Sequence, residues 1–561
     1  MTLCERGADV WNHACDVLIV GAGGGGLAGA LAAADLGLDA LVVEASKHLG
    51  GSTSLSGGTL WLLDNPFLKA AGGEDSPAKA LSHLRAVVGQ AGPAASDARL
   101  EAYVEGGHAL TDLLARQGVP LAHSGWPDYY SEREGGVAEG RTLHAKPFDL
   151  RRLGKDRGHL RPAQLAVPAN SVEVAVLALG PRTPKAAMVW LRVGLRTLWA
   201  RLTGQKLATR GQALMGRIIQ ALQAAGTPVW RESRLVDLVI EDGLVMGAIV
   251  ERDGERLRIR ASRGVLLTAG GFARNSEMRA EAQSPVGVDL TMAIAEDRGD
   301  AIRIGREVGA ATDLMDESWW VPGTRPPGSV MLHVWDRCFP HTIIVDARGR
   351  RFVNEADPYM EVGQIMLARQ RAEGAPGWII LESRHRDRYA FGMTPPRLTP
   401  KAWFDSGYMK KAGAIEDLAR QCDLDPAVLR ATIDRFNAMA RAGVDQDFHR
   451  GESVYNRFYG DGRNKPNPNL GAIEKPPFYA VAMAPGDVGT GGGLLADEHG
   501  RVLSVGGSPI EGLYAAGNSS ASVFGRTYPG AGASIGASMV FAVRAVRHMG
   551  DNGAGHGAGA R

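Results

Sequence analysis

The chain has 561 residues, of which 45% are hydrophobic and 22% are charged, and its formal net charge is +2. This length predicts two or more structural units, and a nearly neutral chain is not typical of nucleic-acid-binding proteins. The four cysteines include no CxxC pair, so we expect neither a disulfide framework nor a metal site. Acidic residues precede the first apolar run, which is not typical of a signal peptide. We therefore expect a cytoplasmic protein.

The N-terminal region predicts a βαβ unit. Asp16–Val20 is a short apolar run that ends in Gly21, as a buried parallel strand would, and Leu27–Leu36 is typical of a helix. A second buried strand, Ala40–Glu44, follows. Gly21, Gly23 and Gly26 fit the pattern G-x-G-x-x-G between strand and helix. This combination predicts a dinucleotide site in which Glu44 accepts hydrogen bonds from ribose hydroxyls.

Three further features favour FAD over NAD as the dinucleotide. A run of small residues, Gly50–Gly58, follows the acidic residue, and its backbone can lie along a diphosphate and a flavin edge. A second strand that ends in glycine, Leu513–Gly517, precedes a predicted helix over Ser534–His548. No second complete fingerprint exists for a separate NAD. The other residues that we expect to contact FAD are Gly24, Ala45, Gly51, Ser52, Thr53, Ser56, Gly57, Gly58, Val236, Ala269, Gly270, Gly517, Asn518, Ala533 and Ile535.

The composition along the chain predicts an α/β protein with an inserted domain. Leu235–Val250 predicts a hairpin, and Val265–Ala269 predicts another buried strand. Residues 317–485 contain more Pro, Trp, Arg and Tyr than the flanking regions. We therefore predict a Rossmann-type FAD-binding domain made of residues 1–316 and 486–561, into which an α+β catalytic domain, residues 317–485, is inserted.

Several motifs resemble those of one flavoprotein group. In chain order they are Trp126–Tyr130, Arg351–Tyr359, Asn464–Gly471, Pro485–Thr490 and Gly525–Gly532. With these motifs the chain resembles the fumarate-reductase-like flavoproteins and, within them, the 3-ketosteroid Δ1-dehydrogenases. The resemblance implies removal of two hydrogens from C1 and C2 of a 3-ketosteroid, with electrons passing through FAD to an external quinone-like or dye-like acceptor.

The resemblance also implies roles for four residues. The Tyr528 hydroxyl and the Gly532 backbone N–H match the donors to the C3 carbonyl, which stabilise negative charge on its oxygen. Tyr359 matches the base that takes the C2 proton, and Tyr129 matches its partner phenol. The C1 hydride passes to flavin N5. Tyr130 stands next to Tyr129, and the sequence alone does not separate the two.

Alternative functions remain open at the level of sequence. A Δ4-dehydrogenase of saturated 3-ketosteroids would need the same carbonyl donors. A fumarate-reductase-like enzyme would instead have an arginine at the position of Tyr528, because a guanidinium suits a carboxylate. Arg526 lies two residues away and keeps this alternative open. A flavin-binding electron-transfer subunit without its own chemistry is a further alternative.

An insert of about residues 165–210 is basic and apolar. The chain has no Asp or Glu between Val174 and Trp230. A helix around 185–202 would carry cations on one face and Trp and Leu on the other, as interfacial helices on anionic lipid do. We predict contact of residues 180–208 with the inner face of the cell membrane. The alternative is a helix packed on the protein or in an oligomer contact.

Overall fold

The computed structural model describes residues 10–163 and 167–552. The ends of the predicted first and last segments, at residues 1 and 561, and the predicted start of the basic insert at residue 165 lie outside the described residues.

The described residues contain 21 β-strands, numbered here in chain order. They are β1 His13–Val20, β2 Ala40–Val43, β3 Thr59–Trp61, β4 Leu121–His123, β5 Thr142–Ala145, β6 Phe148–Asp149, β7 Leu207–Ala208, β8 Val229–Trp230, β9 Ser233–Glu241, β10 Leu244–Arg252, β11 Glu255–Leu267, β12 Thr312–Asp313, β13 Ser318–Thr324, β14 Met331–Leu332, β15 Thr342–Val345, β16 Gly377–Glu382, β17 Met409–Ala412, β18 Phe478–Thr490, β19 Gly493–Leu494, β20 Arg501–Leu503 and β21 Pro509–Ala515.

The same residues contain 16 α-helices. They are α1 Gly24–Asp35, α2 Pro66–Ala70, α3 Pro77–Val88, α4 Asp97–Arg116, α5 Ser171–Ala178, α6 Pro184–Leu202, α7 Arg210–Ala225, α8 Ser276–Gln283, α9 Asp300–Glu307, α10 Tyr359–Glu373, α11 Ser383–Arg388, α12 Lys401–Asp405, α13 Ile415–Gln421, α14 Pro426–Ala442, α15 Val454–Phe458 and α16 Ala533–Asn552.

An eight-stranded sheet forms the first domain. Its centre is parallel: β1 pairs with β2 and β11, and β11 pairs with β21. Strand β1 is apolar at successive positions because both faces of the sheet are covered. Val17 and Ile19 pack against α1 and α16 on one face, whereas Leu18 and Val20 pack towards the β9–β10 hairpin and α9 on the other. The predicted strands and hairpin therefore lie in one sheet.

A six-stranded sheet, ordered β14-β13-β18-β16-β15 with β17 also paired to β18, forms a second core. Its strands lie between Ser318 and Thr490. The aliphatic residues of β15 and β16 alternate between two clusters. One contains α13 and α14, and the other contains α10 and Trp403. Both cores are thus layered sheets covered by helices.

The basic insert forms two helices, α5 and α6, that bridge the two domains. Ser171 at the start of α5 donates to the Gly57 carbonyl of the first domain (2.7 Å). Arg182, just before α6, donates to the Asp387 carbonyl of the second domain (2.8 Å). Within the described ranges, each helix is too short or too polar to span a bilayer.

Candidate functional site

The turn after β1 is shaped by its glycines. Gly21 has a φ of +102°, and a Cβ there would overlap the Thr268 carbonyl. A Cβ at Gly26 would overlap the Gly21 carbonyl, so α1 can approach β1 closely only with glycine at this position. At Gly23, in contrast, a Cβ would meet nothing within 4 Å. The backbone is thus open at the position where a pyrophosphate approaches the N-terminus of α1.

Glu44 is a buried carboxylate with acceptor capacity to spare. It is 7% exposed, and it accepts hydrogen bonds from the N–H groups of Ala22 (2.7 Å) and Ser46 (2.8 Å). Burial raises the pKa of Glu44, although these two hydrogen bonds oppose the rise. Two bonds leave lone pairs free on both oxygens, as a ribose diol requires. The predicted residue Ala45 lies between Glu44 and Ser46.

The serine- and glycine-rich run lies directly on this turn. Gly50 N–H donates to the Ala22 carbonyl (2.8 Å), and the Thr53 hydroxyl accepts from Gly24 N–H (3.3 Å). A Cβ at Gly58 would overlap the backbone at Arg210, where α7 begins. The predicted residues Gly51, Ser52, Thr53, Ser56, Gly57 and Gly58 therefore line a path that leads from the dinucleotide turn towards α7.

The remaining predicted cofactor residues come from distant parts of the chain. The Gly270 carbonyl accepts from the Ser519 hydroxyl (2.9 Å), which joins the loop after β11 to the loop after β21. That arrangement brings Ala269, Gly270, Gly517 and Asn518 together, and Ala533 and Ile535 lie in the first turn of α16. Val236 is half-buried on β9, near Ser233, whose N–H donates to the Glu44 carbonyl (2.8 Å). The donor set fits FAD: open backbone N–H groups, a buried carboxylate and a second helix N-terminus.

Three predicted catalytic tyrosines form one buried cluster. The ring centroids of Tyr129 and Tyr359 are 5.7 Å apart, those of Tyr359 and Tyr528 are 5.3 Å apart, and those of Tyr129 and Tyr528 are 5.9 Å apart. Each side chain is at most 8% exposed. Burial and the nearby Glu361 carboxylate raise the pKa of Tyr130. Tyr129, and not Tyr130, therefore faces the cluster.

Tyr359 is held by the fold of its own motif. It is the first residue of α10, directly after Pro358. The preceding loop is folded around a buried ion pair between Arg351 and Glu355 (2.7 Å), and Asp445 also binds Arg351 (2.8 Å). A planar guanidinium that binds two carboxylates fixes the loop geometry. The Arg351–Tyr359 motif thus forms a rigid loop that holds the phenol of Tyr359 in place.

The donor side of the cluster contains an unused N–H group. Gly532 has a φ of +96°, and a Cβ there would overlap the Thr59 carbonyl. Within residues 10–163 and 167–552, its N–H finds no protein acceptor. The Tyr528 hydroxyl lies 3.1 Å from the Ser534 hydroxyl. A buried N–H without a partner is costly unless a ligand accepts from it, so the Gly532 N–H and, four residues earlier, the Tyr528 hydroxyl are both candidate donors to a carbonyl oxygen.

Burial sets the acidity of the phenols. It raises the pKa of Tyr359 well above its ordinary value, and hydrogen bonding to Tyr129 opposes that rise. The pKa of Tyr129 is likewise raised by burial. The Tyr129 hydroxyl therefore helps to stabilise a Tyr359 phenolate, which the apolar surroundings disfavour.

Sequence reasoning missed two members of this cluster. The ring centroid of Tyr455 is 4.7 Å from that of Tyr129 and 5.0 Å from that of Tyr459. Trp319 packs against Tyr528, with their ring centroids 5.3 Å apart, and donates its indole N–H to Asn518 (3.1 Å). Aromatic residues are frequent in any core, so no local pattern singled out Tyr455 or Tyr459.

Arg526 is engaged away from a substrate. Its guanidinium pairs with Asp316 (2.8 Å) and with Glu317 (2.7 Å). Glu317 also accepts hydrogen bonds from the side chains of Trp320 and Gln364, both at 3.1 Å. Two carboxylates of the protein therefore neutralise Arg526, the residue that the sequence left open as a ligand for a substrate carboxylate.

The chain is similar to several known proteins. A family model described as FAD binding domain matches residues 16–535. The 3-oxosteroid 1-dehydrogenase of Mycobacterium tuberculosis is 41% identical, over 96% of this chain and 98% of the relative. The crystal structure of 3-ketosteroid delta1-dehydrogenase from Sterolibacterium denitrificans in complex with 1,4-androstadiene-3,17-dione superposes with a TM-score of 0.91 at 34% identity, covering 96% of this chain and 100% of that one. A 3-ketosteroid-delta4-(5alpha)-dehydrogenase from Rhodococcus jostii shares the fold, with a TM-score of 0.65 at 23% identity over 97% of this chain and 98% of that one.

Proposed function

We propose, because the chain belongs to the FAD-dependent 3-oxosteroid 1-dehydrogenase family, that it introduces a double bond between C1 and C2 of a 3-ketosteroid. The substrate would be a Δ4-3-ketone and the product a 1,4-diene-3-ketone. The predicted family, α/β fold class and FAD cofactor are confirmed by the comparisons. The individual residue roles and the regiochemistry on this chain are proposals.

The main support for the proposal is one observation. The Gly532 N–H, which has no protein acceptor among the described residues, and the Tyr528 hydroxyl lie close to the buried phenols of Tyr129 and Tyr359. A C2 proton is acidic only because it is α to the C3 carbonyl. Donors to the C3 oxygen lower the barrier by about 3 kcal/mol each. Neutral donors suit a ketone, whereas a dicarboxylate would need a free guanidinium, and Arg526 is already paired.

The chain's own groups then divide the work. Tyr528 and Gly532 hold the C3 oxygen, and the Tyr359 phenolate takes the C2 proton. Tyr129 donates a hydrogen bond to that phenolate and relays the proton onward. When bound, FAD supplies the acceptor for the hydride that leaves C1. We propose that a quinone-like or dye-like molecule then takes the electrons.

The test is anaerobic mixing of FAD-loaded protein with 4-androstene-3,17-dione while the flavin absorbance is followed. We expect bleaching and a 1,4-diene product, identified by mass and NMR. Absence of bleaching, when the flavin is present and reducible by dithionite, would contradict the proposal. Bleaching by a saturated 3-ketosteroid alone would identify the Δ4 alternative.

We also propose that α6 lies on an anionic membrane surface at its cytoplasmic side. The apolar side chains of α6 are exposed to solvent: Met188 68%, Trp190 43%, Leu191 62%, Leu195 57%, Leu198 53%, Trp199 62% and Leu202 75%. Lys185 and Arg201 are exposed beside them. Such a surface suits the boundary between acyl chains and headgroups. The α5–α6 bridge contacts both domains. Binding of α6 to the membrane would therefore hold the enzyme next to steroid that is dissolved in the lipid.

Vesicle co-sedimentation tests the membrane contact. The triple variant Leu191→Ser/Leu195→Ser/Trp199→Ser is expected to pellet at least about tenfold less with vesicles that contain phosphatidylglycerol, because each large apolar side chain contributes about 1.5–3 kcal/mol when buried. The matched control replaces exposed apolar residues elsewhere, Met393, Leu398 and Val505, by serine. Equal pelleting of both variants would contradict the contact. If the wild-type and control proteins are dimers and the α6 variant is a monomer, α6 is an oligomer interface instead.

A further inference from the structure

A charged cluster is buried next to the tyrosines but is not used by the proposed chemistry. Arg141 binds Asp75 through two hydrogen bonds (2.7 and 2.8 Å) and Asp128 through a third (2.5 Å). All three side chains are 0% exposed. His83 completes the cluster, with its Nε2 atom 3.7 Å from Asp128. Burial of this many charges is expensive unless they fix a particular geometry.

The cluster connects to Trp61 on β3. The indole N–H of Trp61 donates to Asp128 Oδ1 (2.8 Å), while the Oδ2 atom accepts from Arg141 and from Val137 N–H (3.1 Å). Trp61 is 0% exposed and stacks on Tyr103, with ring centroids 6.3 Å apart. The orientation of the indole is therefore set by a buried carboxylate on one edge and by an aromatic ring on its face.

Trp61 and its neighbours hold the turn that carries the donor pair. The backbone N–H of Trp61 donates to the Gly532 carbonyl (3.3 Å), and a Cβ at Gly530 would overlap the indole ring of Trp61. Tyr129 N–H donates to the Pro529 carbonyl (2.9 Å), and the Thr142 hydroxyl donates to the Ala531 carbonyl (3.2 Å). Three carbonyls of the turn are thus bound. Trp61 binds one, and the other two are bound by residues that follow members of the charged cluster in sequence, because Thr142 follows Arg141 and Tyr129 follows Asp128.

We propose that Asp75, Arg141, Asp128 and Trp61 form a positioning cluster, which holds residues 529–532 so that the Gly532 N–H and the Tyr528 hydroxyl point at one C3 oxygen. This inference rests on the proposed function of that donor pair. The cluster acts through the carbonyls of the turn, and preorganised donors need such rigid support because their effect falls steeply with misplacement.

The test measures how strongly the site polarises a bound ketone. A hydrogen-bonded carbonyl has a lower stretching frequency, which Raman difference spectroscopy records for 1,4-androstadiene-3,17-dione bound to the FAD-loaded protein. In Trp61→Phe, which removes one N–H, and in Asp128→Asn, which removes one charge, the C3 carbonyl frequency is expected to rise towards its value in free solution. We expect kcat to fall about tenfold while the KM and the FAD content change little.

Trp403→Phe is the matched control, because Trp403 is buried in the core of the second domain, away from the cluster. It is expected to lower the Tm without moving the carbonyl frequency. If the C3 carbonyl frequency is the same in the wild type, Trp61→Phe and Asp128→Asn, the positioning role of the cluster is overturned, but the proposed function is not. An unshifted carbonyl in the wild-type protein, or one that Tyr528→Phe leaves unmoved, would instead overturn the proposed function. Asp128→Asn keeps the inference testable if Trp61→Phe does not fold.

Discussion

The ring of Tyr359 packs against two other phenols, those of Tyr129 and Tyr528. Burial raises its pKa well above the ordinary value, so the phenolate that would take a proton is scarce at neutral pH. The hydrogen bond to Tyr129 opposes this effect. A buried phenol thus becomes an effective base only where neighbouring donors stabilise its anion, which the clustering of Tyr129 with Tyr359 provides.

Replacement of the proposed base gives the first prediction. Tyr359→Phe removes one oxygen and keeps the ring, so the packing with Tyr528 and Tyr129 is retained. We expect turnover to fall by at least about 100-fold while FAD remains bound. Steroid-dependent flavin reduction in a stopped-flow instrument measures the loss. Undiminished reduction would assign the base to another residue.

The pH dependence gives the second prediction. Because the pKa of Tyr359 is raised, the fraction of phenolate increases about tenfold for each pH unit below that pKa. We therefore expect kcat/KM to rise from about pH 7 to pH 9 without a plateau. A flat profile over this range would contradict a phenol with a raised pKa as the base. Flavin content measured at each pH controls for loss of the cofactor.

At the scale of elements, α6 is attached through charge while its apolar face stays in solvent. Glu173 on α5 is 3% exposed at its side chain and pairs with Arg192 (2.9 Å) and Arg196 (2.8 Å). Burial tends to raise the pKa of Glu173, but the hydrogen bonds from Arg196 and from the Asn170 N–H, together with the charges of Arg196 and Arg192, outweigh burial and lower the pKa. The stabilisation is therefore fully present at neutral pH and is lost as the pH falls through that lowered pKa. The cations that the sequence placed on a lipid-facing side thus serve partly to fix the helix.

Loss of this attachment gives the third prediction. Glu173→Gln is expected to weaken the α5–α6 contact by about 1–3 kcal/mol, because it leaves a half-buried Arg196 without its charged partner. Hydrogen exchange of residues 184–202 would become faster, and exchange in the eight-stranded sheet would not change. Glu416→Gln is the matched control, since Glu416 pairs with Arg430 on an exposed surface. Equal exchange of α6 in the wild type and in Glu173→Gln would contradict the attachment.

At the scale of the whole molecule, the proposed site combines residues of both predicted domains. Tyr129 and Tyr528 belong to the predicted FAD-binding domain, and Tyr359 belongs to the predicted catalytic domain. Arg526 joins the same domains, because its loop precedes Tyr528 and its partner Glu317 precedes β13. Gln364 on α10 donates both to Glu317 (3.1 Å) and to the Arg526 carbonyl (2.9 Å). The helix that begins at Tyr359 is thereby fixed to the loop that carries Tyr528.

Disruption of this contact gives the fourth prediction. Arg526→Gln leaves Glu317 with a 9% exposed side chain and no cation, so kcat should fall several-fold and the Tm should decrease. The double variant Arg526→Gln/Glu317→Gln removes the unpaired charge and should recover part of the Tm. Steady-state kinetics and thermal unfolding measure the two effects. A double variant that is less stable than Arg526→Gln would contradict the role of the unpaired carboxylate.

The sequence by itself determined the parts that depend on short segments. The run from Asp16 to Glu44 specified a strand, a glycine turn and an acid, because each step follows from local periodicity and from backbone freedom at glycine. The predicted strand and helix are present as β1 and α1, and the FAD cofactor and the family are confirmed. The contact of Glu44 with the cofactor remains a prediction. The composition around Trp190 and Trp199 also predicted an amphipathic helix, and α6 has that form. Its contact with lipid remains a prediction.

Only the tertiary structure decided which side chains meet. Tyr455 and Tyr459 join Tyr129 from far along the chain, and no local pattern marks a residue whose partner lies in another domain. The structure separated Tyr129 from Tyr130, and it placed Arg526 on Asp316 and Glu317 instead of in the site. The buried charges of Asp75, Asp128 and Arg141 are likewise far apart in sequence from the turn at 529–532. Burial and long-range pairing are properties of the packed chain, because each depends on which surfaces exclude water together.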